Sequence, residues 1–365
     1  MNRVLILGAG GAAGINLCRA LRRAGGYFII ATDTSDDRLA LISDLVDMPI
    51  KVSPANDIAH EYEVRGIISR DCPDVVYAQA DAEVAHLMHR DYDCVAPMPS
   101  AEAWRLAADK LKLNQYLGDR GVPVPESHGA HGDAPAWFER CRESTGKVWV
   151  RARCGAGSKA ALPMEGFDEA EFWMRYCGRR WGLKATDFMF CEFLPGADFA
   201  WQGLFFEGEL ICGIGRERLE YVFGGQMPSG QSSTPSIARI VHSDDLNTLA
   251  EWTVRLIDDV PNGVYGVDTK ANAAGRICVT EVNVGRFYTT SDFYAAAGVN
   301  LPDMLMRLEW GPKFERPLKL NPIAAGTRWV RSLDREAVLV PAKSPTLRLA
   351  ENIAASPVLA GQCAV

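Results

Sequence analysis

The sequence predicts a mixed α/β chain in which a small doubly wound domain precedes a longer α+β region. Two observations carry this. Val4-Leu5-Ile6-Leu7 is an apolar run ending in Gly8-Ala9-Gly10-Gly11-Ala12-Ala13-Gly14. A helical face of Leu17, Ala20 and Leu21 follows, then a second apolar run, Phe28 to Ala31, closed by Asp33. Strand, glycine turn, helix and strand make a βαβ unit, whose crossover implies a parallel sheet. From about Lys147 the apolar runs instead lengthen and are separated by turns, an α+β pattern.

The elements follow in order. Val75 to Ala78 and Cys94 to Ala96 read as further strands of the first domain. Pro97 and Pro99 punctuate the chain, and Ser100 is placed to N-cap a helix running to Gly121, its C′ residue. Val122-Pro123-Val124-Pro125 is an extended connector. Strands are expected over Val148 to Arg153, Phe188 to Leu194, Ala200 to Phe206 and Glu209 to Gly215, with helices over Asp168 to Trp181 and Asp244 to Asp259. Beyond residue 330 the signals weaken, and Ser344 to Val365 has no clear period. No internal repeat is found.

At about 150 residues per domain, the 365 residues hold two or three domains. Such a chain buries a core without disulfides or a structural metal. A net charge of −7 with no Lys/Arg block argues against sequence-independent nucleic-acid binding, yet allows a local basic pocket for phosphates. No apolar run approaches the ~18 residues of a membrane span, and the N-terminus opens on a strand pattern, so a cytoplasmic protein with no membrane partner is expected. The 10 cysteines include no CxxC pair, which gives neither a zinc site nor a redox pair. His86 and His89, and His128 and His131, are spaced i, i+3, but no carboxylate or thiolate set completes either pair as a metal site.

Four constellations bear on chemistry. The Gly8-x-Gly10-x-x-x-Gly14 turn presents backbone N–H groups and a helix N-terminus to an anion, and Asp33 stands where a dinucleotide enzyme holds a ribose hydroxyl. The spacing departs by one residue from GxGxxG, and a tight strand–helix turn is the favoured reading, with NAD(P) binding the alternative. Next, Val264 to Ala271 and Arg276 to Asn283 form a hairpin around Asn272-Ala273-Ala274-Gly275. Period two puts Glu281 and Asn283 on one face, and a four-residue turn sets Asp268 opposite Val279 and diagonal to Glu281. Two carboxylates and an amide oxygen suit Mg²⁺ bridging to phosphates. Third, Arg151 and Arg153 share a strand face that runs into Gly155-Ala156-Gly157-Ser158-Lys159, a flexible loop with added donors. Fourth, the Phe188 to Asp198 strand and turn, with Glu192-Phe193-Leu194-Pro195-Gly196, offer backbone groups to an adenine edge and an apolar wall to its face.

Together these features resemble the ATP-grasp superfamily, most closely the single-domain relatives of the carbamoyl-phosphate synthase large chain, over roughly residues 1 to 310. The resemblance implies a Rossmann-like pre-ATP-grasp domain over 1–99, a connector helix and small lid subdomain over 100–194, and a large subdomain with the metal site over 195–330. It assigns no role to 331–365. It implies that Lys110 of Asp109-Lys110 reaches the nucleotide phosphates. Arg151, Arg153, Gly155, Gly157 and Ser158 look like the phosphate strand and loop, with Lys159 beside them. Glu192, Phe193 and Leu194 are similar to the adenine hinge, with Asp198 where a ribose-binding Glu is usual. Asp268, Glu281 and Asn283 match the metal triad. Arg286 would stabilise the transferred phosphoryl group with Arg151 and Lys159, although Val284-Gly285-Arg286 replaces the synthase's Pro-Arg and shifts the arginine by one residue.

The activity implied is that of an ATP-dependent carboxylate–amine ligase. With ATP and Mg²⁺ (or Mn²⁺) as cofactors, it forms an acyl phosphate that an amine then attacks. The partners expected are a small carboxylate, such as an amino acid, and an amine, and a homodimer is compatible with the sequence. Candidates for substrate contacts are Gly10, Gly11, Asp81, Glu83, Arg216, Arg218, Tyr288 and Thr289. The alternatives are a carbamoyl-phosphate-synthase-like kinase of carboxylate or carbamate, an NAD(P)-dependent oxidoreductase using the N-terminal turn, and a nucleotide-binding regulator without turnover.

Overall fold

The computed structural model describes residues 1–155, 160–232, 234–308, 320–333 and 336–342. Its first sheet is parallel, with strands β1 (Asn2–Leu7), β2 (Tyr27–Asp33), β3 (Met48–Lys51) and β4 (Val75–Ala78) in the order β3-β2-β1-β4. Helices α1 (Ala12–Ala24), α2 (Asp36–Ala40), α3 (Ile58–Asp71) and α4 (Asp81–Met88) connect and follow the strands. β1 and β2 are buried along most of their length, as expected for a sheet covered on both faces. Cys94 to Ala96 does not form the expected strand. It meets the sheet edge only through a parallel Val76–Val95 bridge.

The helix expected from Ser100 to Gly121 is two helices, α5 (Ala101–Ala108) and α6 (Lys110–Gly118). Ser100 caps the first, its Oγ accepting from Ala103 N at 3.1 Å. Asp109 breaks the run because its carboxylate accepts from Leu111 N and Lys112 N and so starts a new helix.

A four-stranded antiparallel sheet follows, of β5 (Ser127–Gly129), β6 (Val148–Ala152), β7 (Leu162–Met164) and β8 (Phe188–Glu192), ordered β5-β8-β6-β7. Helices α7 (Ala134–Thr145) and α8 (Phe167–Trp181) cover one face around Phe138, Phe188 and Phe190. The third sheet has seven strands, β9 (Asp198–Phe206), β10 (Glu209–Tyr221), β11 (Pro235–Val241), β12 (Gly263–Ala271), β13 (Ile277–Val284), β14 (Arg328–Val330) and β15 (Val338–Val340), in the order β13-β12-β9-β10-β11-β14-β15. Helix α9 (Asp244–Ile257) packs on one face, with Trp201 buried beneath it and donating its indole N–H to Asn247 Oδ1 at 3.0 Å.

Helices α10 (Ser291–Ala296) and α11 (Leu301–Arg307) return the chain to α1. Phe293, Tyr294 and Leu301 share one apolar core with Leu17, Leu21 and Tyr27, and Asn300 Nδ2 donates to Ala20 O at 2.7 Å. The parallel sheet and the large antiparallel sheet are thus held together by burial as well as by polar links. No described helix is long and apolar enough to cross a membrane.

Candidate active site

A cleft of about 1320 Å³ runs from the glycine turn before α1, past the β6 end and the Glu192–Asp198 segment, to the β12–β13 hairpin. The hairpin register differs from expectation. Asp268 stands directly opposite Glu281, while Val279 faces Thr269. Asn272 closes a loop one residue longer than expected, its N–H donating to Arg276 O, and a bulge at Thr280 adds a second shift. The two slips bring the carboxylates closer than a four-residue turn allows. Glu281 and Asn283 remain on one strand face, as period two requires.

Each acid of the hairpin is met by cations from another element. Glu281 Oε2 accepts from Arg151 Nη2 at 2.7 Å and lies 3.9 Å from Lys110 Nζ. Lys110 is only 4% exposed, and its ammonium donates to Gly155 O at 2.6 Å. Burial pulls its pKa down, against the attraction of Glu281. Asp268 Oδ1 accepts from Arg218 and from the Tyr288 hydroxyl at 2.7 Å, and its Oδ2 accepts from Asn283 Nδ2 at 3.0 Å. Burial would raise that carboxyl, but the Arg218 charge and the Tyr288 bond hold it below the usual carboxylate range. Arg218 also donates to Asp198 at 2.8 Å, and Asp198 accepts from Tyr221 at 2.7 Å.

The shifted arginine reaches the site. Gly285 takes φ +78° and absorbs the extra residue, so Arg286 Nη2 donates to Asn283 Oδ1 and its Nε pairs with Asp81 at 2.6 Å. The parallel sheet anchors this turn, because Tyr77 OH donates to Gly285 O at 3.1 Å and Gln79 Nε2 donates to Phe287 O at 2.8 Å. Gly11, Glu192, Phe193, Leu194, Arg216 and Thr289 also border the cleft.

Other expected site residues are placed elsewhere. Arg153 turns from the cleft and grips Asp109 through Nε at 3.2 Å and Nη2 at 2.6 Å. Glu83 is buried against His60, its carboxylate 2.9 Å from Nε2. Gly10 is a packing glycine, since a Cβ there would lie 2.5 Å from Arg38 Cβ, and its N–H donates to Asp33 Oδ2 at 3.0 Å. Gly157, Ser158 and Lys159 lie outside the described residues. Arg331 is a residue the sequence reading missed. It follows β14 and reaches Thr289, and only the short apolar pair Trp329-Val330 before it hinted at a strand.

Scans against protein families and against curated proteins find no match. Solved structures do match. N5-carboxyaminoimidazole synthetase from Staphylococcus aureus, complexed with ADP, is 14% identical with a TM-score of 0.65, over 90% of this chain and 81% of that one. The biotin carboxylase domain of 2-oxoglutarate carboxylase from Hydrogenobacter thermophilus, with MgADP and bicarbonate, is 13% identical with a TM-score of 0.67, over 90% and 73%. L-amino acid ligase from Bacillus licheniformis is 13% identical with a TM-score of 0.63, over 90% and 79%. With this architecture and these neighbours, the chain has the ATP-grasp fold.

Proposed function

We propose that the protein is an ATP-dependent carboxylate–amine ligase acting on an amino acid or similar small acid through an acyl phosphate. The observation that carries this reading is the cleft itself. It is lined together by the Glu192–Leu194 segment, by Glu281, Asn283 and Arg286, and by Arg151 and Gly155. The backbone of 192–194 is suited to an adenine edge, and Asp198 beyond it to a ribose. Lys110, Arg151 and Arg286 supply the positive charge that a transferring phosphoryl group requires.

Mg²⁺ fits the donor set. Glu281 and Asn283 offer a carboxylate and an amide oxygen to the cleft from one strand face, and Asp268 stands opposite Glu281. All are hard oxygen donors. In this reading a cation there would neutralise charge on the phosphates, and Arg151 would be released from Glu281 to them.

The reaction has two displacements. A carboxylate oxygen of the acid attacks the γ-phosphorus and ADP leaves. The amine then attacks the acyl carbon, phosphate leaves with the C–O electron pair, and the nitrogen loses a proton. Arg286, held by Asn283 and Asp81, is positioned to stabilise the phosphoryl charge. The test is ADP release from ATP and Mg²⁺ with pooled amino acids, small acids and amines. Acid-dependent release supports the reading, and none above background with any pool counts against it.

A further inference from the structure

We infer that Arg216 and Arg331 form a subsite for the carboxylate of an amino-acid substrate that is not phosphorylated. The inference rests on the ligase reading for the identity of its ligand but on independent geometry for its place. Arg216, on β10, borders the cleft and is 1% exposed. Its Nη1 donates to the Tyr294 hydroxyl at 2.6 Å, its guanidinium lies 4.4 Å over the Tyr288 ring, and its Nε is buried without a hydrogen-bond partner. Among the described residues Arg331 donates to neutral acceptors alone, Pro235 O at 2.7 Å and the carbonyl and hydroxyl of Thr289, each at 2.9 Å.

Neither guanidinium has an acidic partner among the described residues. Asp268, the carboxylate whose field reaches Arg216, is already bonded to Arg218, Tyr288 and Asn283. Burial lowers the Arg331 guanidinium to about 10, and the neighbouring charge of Arg216 adds to this. Arg216 over Tyr288 and Arg331 on Thr289 stand on consecutive residues, and two like charges in each other's field are unfavourable unless an anion joins them. The forked donors of arginine suit a planar oxyanion.

Position decides which anion. The Tyr288 ring stands between Arg216 and the Asp268–Asn283 edge, its hydroxyl on Asp268 and its face under Arg216. A group held by Arg216 is therefore one aromatic ring away from the Asp268–Asn283 edge, whose amide oxygen Arg286 holds. It is a second anionic group on the substrate, as the carboxylate of an amino acid is. Arg218, the other β10 arginine expected to contact substrate, is instead committed to Asp198 and Asp268.

The test is a binding measurement without ATP, so it is independent of turnover. The full chain is heated with each of the common amino acids, with the matched amino acid amides, and with inorganic phosphate, all at equal ionic strength. The expected result is a rise of several degrees with at least one amino acid, none with its amide, and loss of that preference in Arg331→Met. Arg331→Lys, which keeps the charge, should retain part of it and guards against misfolding of the methionine variant. An equal rise with acid and amide, a preference retained in Arg331→Met, a response to phosphate alone, or no response to any amino acid would each overturn the assignment. ADP release without the acid–amide preference would overturn this subsite and leave the ligase intact.

Discussion

Arg151 on β6 and Glu281 on β13 pair at 2.7 Å, joining the four-stranded sheet to the seven-stranded sheet across the cleft. The same carboxylate is 3.9 Å from Lys110, so one acid holds two cations that a nucleotide's phosphates would otherwise attract. In the ligase reading the pair must open when ATP and Mg²⁺ enter. Glu281→Gln removes the charge while keeping the shape. It should lower ADP release by about 10²-fold or more with the melting temperature little changed. Steady-state rates beside a thermal melt check this, and unchanged turnover would remove Glu281 from the metal assignment.

The Tyr288 ring fills the space above Gly266. A Cβ at Gly266 would lie 2.6 Å from Tyr288 Cζ and 2.7 Å from its hydroxyl. Gly266→Ala should push the ring off Asp268 and from beneath Arg216, at a cost of about 1–3 kcal/mol. Tyr288→Phe keeps the ring and removes only the hydroxyl, so it should retain the acid–amide preference that Gly266→Ala loses. Melts with amino acid and amide on both variants compare them.

Asp109 serves as the N-cap of α6 and as the partner of Arg153. Asp109→Ala should destabilise the chain by about 2 kcal/mol, from the lost cap and a partly buried guanidinium left unpaired. Asp109→Asn keeps a capping oxygen and should lose less. Denaturant unfolding of the two variants measures the difference, and equal losses would mean that the cap contributes little.

The fold was legible wherever the signal is local. The βαβ opening, the β12–β13 hairpin and the strand before Pro195 are short-range patterns of apolar runs and turn residues. What the sequence hid is set by neighbours. The break at Asp109 lies between good helix formers, and its capping of α6 and its pairing with Arg153 distinguish it from an ordinary helical aspartate. The hairpin register depended on a bulge that no turn tetrapeptide encodes. β14 and β15 have three residues each, too few to show a period, and they become strands by adding to the edge at β11. Arg331 was therefore invisible as a partner of the cleft residues Pro235 and Thr289. Glu83 read as a ligand contact because it follows a strand end, but its helix turns it toward His60.

Asp268 gives a pH prediction. Arg218 and Tyr288 hold its carboxyl below the ordinary carboxylate range despite burial. A carboxyl depressed on folding contributes stability above its unfolded pKa, and that contribution is lost as pH falls through the folded one. Stability should fall on acidification below the usual carboxylate range, and Asp268→Asn should flatten that limb while lowering stability at neutral pH. Denaturant midpoints across acidic pH record both, and parallel curves would show that Asp268 does not titrate with unfolding.

Product identity in the presence of hydroxylamine separates acyl-phosphate formation from adenylation. The protein, ATP and Mg²⁺ are incubated with the pooled acids, and nucleotide products and hydroxamates are measured together, beside the Glu281→Gln variant. An acyl-phosphate ligase yields ADP, phosphate and a hydroxamate, all dependent on the acid and lost in the variant. AMP and pyrophosphate would instead mean adenylation and contradict the mechanism proposed for this cleft.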